Sequence, residues 1–189
     1  MNFDLSTLKL HRGTHPSTPE YCVMEATAVY VGEQKKDRNV DAVSPVIESY
    51  ARALNDALPD EWRQRLVAFI PRLPNTKGTP EQEQGRIWMA QDVATRVFAP
   101  FALRAAKLIA QAEVLEALPP VTTAETSRVA VWAAEAAKAE AAVWAAVWAA
   151  AREAPAAAAE AAARAAAWTE LAPIAIDLLD RMIRVTEGA

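Results

Sequence analysis

A single cysteine, Cys22, leaves no partner for an internal disulfide, which excludes a cysteine-stapled scaffold and suits a reducing compartment. Five glycines, none grouped into a phosphate-binding loop, leave no nucleotide-binding signature. No run of eighteen strongly apolar residues occurs; the uncharged stretch 141–151 is short and mostly alanine, so a membrane span is not expected. The first ten residues, interrupted by Asp4 and Lys9, lack the apolar core of a secretory signal, and we expect a cytoplasmic protein. Concentrated positive charge is also missing. The net charge is −4, and the one basic cluster, Lys35, Lys36 and Arg38, is diluted by Asp37, so neither nucleic acid nor a membrane is an expected partner.

What the chain has in abundance is alanine. It fills more than half of residues 129–168, with Val, Trp, Glu, Lys and Arg between, and no glycine interrupts the run. Alanine has the highest helix propensity, so this segment reads as one very long helix. At 100° per residue Trp132, Trp144, Trp148 and Trp168 share an arc of roughly 160° with Val129, Val143 and Val147, opposite Glu135, Lys138, Arg152 and Arg164. A straight helix of about 44 residues would measure about 65 Å, against about 40 Å for a compact chain of this size. A kink near Pro155, and a bend at Pro173, are therefore predicted.

The rest reads as an all-α, single-domain helical bundle spanning 1–189. Residues 1–20 form an extended arm and loop, 19–118 the core helices, and 123–186 the long alanine-rich helix capped by Thr123 or Thr126. Phe3, Leu5, Leu8 and Leu10 have strand-like spacing. Thr18, Pro19 and Glu20 resemble a helix start, and the helix they open, reaching Val31, is apolar on most sides and expected to be central. Ser44–Pro45, Pro59–Asp60 and Thr79–Pro80 mark further starts. Pro100 should kink the fourth helix before it continues through 103–118.

The densest chemical constellation is His11, His15, Cys22 and Glu25: both histidines, the only cysteine, and a carboxylate one turn from it. Zinc takes N, S and O donors, so these four are the candidate metal ligands, and zinc is the one cofactor they suggest. The spacing matches no standard zinc pattern, however. A buried cysteine packed in a core, with Glu25 held by Arg12 or by backbone N–H groups of the preceding loop, is the competing structural reading. Asp92 and Arg96 form an i, i+4 pair that Arg86 and Arg104 could extend.

Residues 11 to about 118 resemble a family of uncharacterised proteins of actinobacteria and their phages. The likeness is carried by His11-Arg12-Gly13-Thr14-His15, Cys22-Val23-Met24-Glu25-Ala26, Ser44-Pro45-Val46, Leu54-Asn55-Asp56-Ala57-Leu58-Pro59-Asp60, Ile70-Pro71-Arg72-Leu73 and Trp88-Met89-Ala90-Gln91-Asp92. Members tend to carry an alanine-rich helical tail. The resemblance implies a source and a helical fold, and no reaction.

These readings combine into a non-enzymatic protein-binding or regulatory accessory protein. It would use the face bearing Trp132, Trp144, Trp148 and Trp168 to contact a protein partner or a second copy of itself. The competing interpretation of that face is internal core. The alternative function is a metal-dependent hydrolase built on His11, His15, Cys22 and Glu25.

Overall fold

The computed structural model describes residues 3–151 and 156–187, with side chains described for 3–138 and 166–187. The chain is all-α: no strand occurs among the described residues, and the strand-like spacing of 3–10 yields only one parallel bridge, Leu10 to Tyr21. Two compact units form, where the sequence suggested one domain. Residues Met1–Arg86 with Arg164–Ala189 make one, and Ile87–Ala163 the other. No helix among the described residues is long and apolar enough to cross a membrane.

The first unit is built around helix α1 (Val23–Tyr30), in which Val23 through Ala28 are all buried. As expected it is central, but it starts later than Thr18-Pro19-Glu20 suggested. Cys22 is the N-cap: its sulfur accepts the Glu25 N–H while the Glu25 side chain accepts the Cys22 N–H. That reciprocal box satisfies two end groups of the helix at once and outcompetes the upstream signal. Helix α2 (Pro45–Ala57), capped by Ser44, packs on α1. Helix α3 (Asp60–Arg63) is a single turn that tightens into a 3-10 stretch, Gln64–Phe69.

Helix α4 (Pro80–Val93) begins at Thr79, which exchanges hydrogen bonds with Gln82. The C-terminal part of helix α8 (Ala156–Glu187) completes this unit, burying Ala172, Ala175, Leu178, Leu179, Met182 and Ile183 at helical spacing. Pro173 lies inside α8, which runs through it. Buried polar groups join these elements. Arg86, fully buried on α4, donates to the Met182 carbonyl (3.0 Å) and the Thr186 hydroxyl (3.3 Å) and pairs with Glu83 (2.8 Å). Glu83 in turn accepts from the Ser44 hydroxyl (2.5 Å) and the Gly78 N–H (3.0 Å), and Tyr50 donates to the Ala175 carbonyl (2.9 Å).

In the second unit α4 widens into a π turn, Ala94–Phe98, before helix α5 (Ala99–Ala105). Pro100 has no N–H to give to the preceding turn, and the wider turn accommodates it. The expected continuous helix over 103–118 is broken instead. Lys107 adopts φ +62°, α5 closes on the Leu103 and Arg104 carbonyls, and helix α6 (Ile109–Glu116) starts afresh. Leu103, Ala112, Leu115 and Ala137 form the core here, the last contributed by helix α7 (Ala124–Ala151). Thr123 caps α7, and Gln91 and Ser127 exchange two hydrogen bonds that fasten its first turn. Asp92 pairs with Arg96 (3.1 Å) and also accepts the Val121 N–H (2.9 Å), whereas Arg104 binds Glu116. The expected kink at Pro155 lies outside the described residues.

Candidate functional site

The loop 10–22 has almost no regular structure, so its backbone polar groups must find partners elsewhere. They find side chains. Gln64 accepts the Leu10 N–H and donates to the Leu10 carbonyl (2.8 and 3.0 Å), taking the place of a neighbouring strand. Asn55 donates to the His11 carbonyl (2.9 Å) while its oxygen accepts the Val23 N–H (3.1 Å). Asp56 accepts the Gly13 N–H (2.8 Å), at a φ of +90° where glycine avoids the strain any other side chain would bring. Lys35 donates to the carbonyls of Thr18 and Glu20. A loop tied at this many points is a preorganised platform.

On it the loop gathers His11, His15, Glu20 and Glu25. His15 donates its backbone N–H to Glu25 Oε1 (2.5 Å), and its ring Nδ1 lies 3.1 Å from Glu25 Oε2. The Glu20 carboxylate sits between the two histidines, 3.6 Å from His15 Nε2 and 3.7 Å from His11 Nδ1. The imidazoles stand edge to face with centroids 5.9 Å apart. Burial pulls the Glu25 carboxyl upward. The donated N–H groups of Cys22 and His15, the His15 ring and the charge of Lys35 outweigh it and hold the carboxyl below its ordinary 4.5. Backbone N–H groups of the loop therefore hold Glu25, as the structural reading had it, with Arg12 taking no part in that set.

Cys22 is placed differently from the other three sequence-predicted ligands. Its thiol is buried, occupied as the cap of α1, and pushed up to about 12 by desolvation, which disfavours the thiolate that metal binding or nucleophilic attack requires. Among the described residues no group of three or more His, Cys, Asp or Glu side chains is arranged, as it stands, to hold a metal ion. Beside His11 lies a cleft of about 410 Å³, bordered by His11, Glu20 and Tyr21 together with Phe3, Asp4 and Lys9. No family model, curated protein or solved structure matches this chain. Its chemistry has to be read from the side chains alone.

Glu20 is the member of the cluster that sequence reasoning missed. It stood in the sequence as a helix-dipole carboxylate, and only the late start of α1 releases it to face the histidines. The spacing His11-x3-His15-x4-Glu20 was the available signal.

The second candidate surface is α7. Its inward seam is made of alanine: Ala130 and Ala137 are buried and Ala133 partly so. Trp132 points away and is 78 % exposed, flanked by exposed Val129, Val131 and Ala136. For Trp132 the core interpretation does not hold, because the small side chains occupy the packed face and leave the indole no partner there. Trp168 is half-buried, and the side chains of Trp144 and Trp148 lie outside the described residues.

Proposed function

We propose that this chain is a non-enzymatic protein-binding protein of accessory or regulatory type, acting in the cytoplasm, whose second unit docks a protein partner on the outer face of α7. The observation that carries the reading is Trp132, 78 % exposed on a well-formed helix. Its surroundings support the same reading. Of the large exposed apolar residues described, Ile87, Ile109, Val114, Val129, Val131 and Trp132 belong to Ile87–Ala163, and only Tyr30 and Ile174 to the other unit. Val129, Trp132 and Ala136 recur at helical spacing, so a partner meets an indole beside a small residue on one ridge. Covering an indole of about 150–200 Å² is worth about 4 kcal/mol, enough to make Trp132 a hot spot. From the motifs that resemble the actinobacterial and phage family we further propose an accessory role in such a cell.

Light scattering on the purified chain, and cross-linking to a candidate partner, test this with Trp132→Glu alongside. We expect an assembly, with a second copy or with a distinct protein, that Trp132→Glu weakens at least tenfold while the far-UV spectrum stays unchanged. A strictly monomeric chain that forms no Trp132-dependent complex removes the proposal.

A further inference from the structure

Resting on the docking role of the α7 outer face, we propose that its partner is α7 of a second copy of this chain, running antiparallel about a two-fold axis, with Arg128 and Glu135 setting direction and register. Val129, Trp132 and Ala136 are exposed and fall within about 60° of one another at 100° per residue. Glu125 lies on the same line, so the four make a seam stepped by four, three and four residues, the spacing of paired helices. One flank of the seam is already packed: Ala130 and Ala137 are buried and Ala133 partly so. The other flank is open and carries charge. Arg128 and Glu135 are both exposed there, seven residues apart in sequence. At about 10 Å along the axis they are too distant to pair within one chain. Arg128 has no ion-pair partner among the described residues, and Glu135 meets Lys138 at 3.8 Å in open solvent, a pair of little strength.

A two-fold axis perpendicular to both helices brings the charged flank of one copy against the charged flank of the other. A parallel pair would set it against the partner's alanine flank, which the partner's own core already occupies. In the antiparallel pair Val129 packs on the partner's Trp132, and Trp132 on the partner's Val129, covering side chains that are 43 % and 78 % exposed. Arg128 precedes Val129 by one residue and Glu135 follows Trp132 by three, so the same layer puts Arg128 opposite the partner's Glu135, and symmetry repeats the pair. The next layer sets Glu125 on the partner's Ala136, whose small side chain leaves the carboxylate room to reach water. A slip of one layer in either direction joins like charges. With Trp132 on the partner's Ala136, Glu135 faces the partner's Glu135; with Val129 on the partner's Glu125, Arg128 faces the partner's Arg128. Of these three registers one alone combines the Val129–Trp132 contact with unlike charges, and repulsion disfavours the other two.

The full chain, Arg128→Glu, Glu135→Arg and the double variant carrying both reversals are compared by sedimentation equilibrium at low salt, where exposed charges are least screened. Both side chains are exposed, so the variants should keep the wild-type far-UV spectrum and melting curve. We expect the wild type to dimerise. Each single reversal sets two like-charge contacts across the two-fold and should weaken the dimer at least tenfold, while the double reversal should restore it to within about threefold. The two single variants, mixed, should form a heterodimer tighter than either homodimer, because each then meets the opposite charge. A dimer indifferent to the single reversals, or not restored by the double, overturns the pairing. A chain that stays monomeric yet binds another protein through Trp132 overturns it and leaves the docking role of α7 standing; a monomer with no Trp132-dependent complex removes both.

Discussion

At Glu25 burial and hydrogen bonding pull in opposite directions, and the outcome can be measured. The carboxylate is 1 % exposed, yet its oxygens accept N–H groups of Cys22 and His15. Its folded-state pKa therefore lies below the ordinary 4.5 of the unfolded chain. The sign follows: the native state prefers the ionised form, so the contribution is fully present above about 4.5 and is lost as pH falls through the lower folded value. Glu25→Gln puts an amide donor among N–H groups that need an acceptor, and should cost about 2 kcal/mol at pH 7. In urea unfolding from pH 7 to pH 3 the gap between the two proteins should narrow on the acid side; a constant gap would mean that Glu25 is not ionised in the native state. The i, i+3 relation of Cys22 and Glu25 was visible in the sequence, but its role as a helix cap was not, because cysteine is a rare cap.

Among the elements, α4 and α8 show how an interior can depend on one charged side chain. Arg86 spans from α4 to the last turns of α8, where it adds a second donor to the Met182 carbonyl and the helix dipole is negative. Desolvation lowers its affinity for the proton, and Glu83 opposes that loss. Arg86→Met keeps much of the volume but leaves the partly buried Glu83 without its counter-charge, and should cost about 3 kcal/mol, read as a lower urea midpoint. A loss below about 0.5 kcal/mol would show the network to be replaceable by apolar packing. The sequence offered Arg86 only as a possible extension of the Asp92–Arg96 pair. Besides the neighbouring Glu83, its partners Met182 and Thr186 lie 96 and 100 residues away, at a separation that no local pattern encodes. On α7 the arc that carries the tryptophans was readable, but which edge of it turns inward was not: Ala130 and Ala137 let the neighbouring helix approach, and Trp132 goes outward.

On the scale of the whole molecule, the first unit is assembled from both ends of the chain, Met1–Arg86 and Arg164–Ala189. Leu178, Leu179, Met182 and Ile183 are all buried in it. At about 2–3 kcal/mol for each such side chain, their removal exceeds much of the 5–15 kcal/mol that holds a typical domain folded. A chain ended after Ala163 should therefore lose the cooperative melt of the first unit and bind a hydrophobic dye, even though every residue of α1 and α2 is still present. A truncated chain with the wild-type far-UV spectrum per residue and a sharp melt would show that residues 1–86 fold unaided.

Composition and local chemistry were sufficient for the all-α class, for helix starts at Ser44, Pro59 and Thr79, for the central place of α1 and for the long C-terminal helices, because propensity, caps and apolar periodicity act over a few residues. The start of α1, the break at Lys107, the outward turn of Trp132 and the entry of Glu20 into the histidine cluster were decided by tertiary structure. The Cys22–Glu25 box that also takes the His15 N–H, the left-handed turn at Lys107 and the packed alanine seam of α7 each outweighed a local preference worth about 1 kcal/mol.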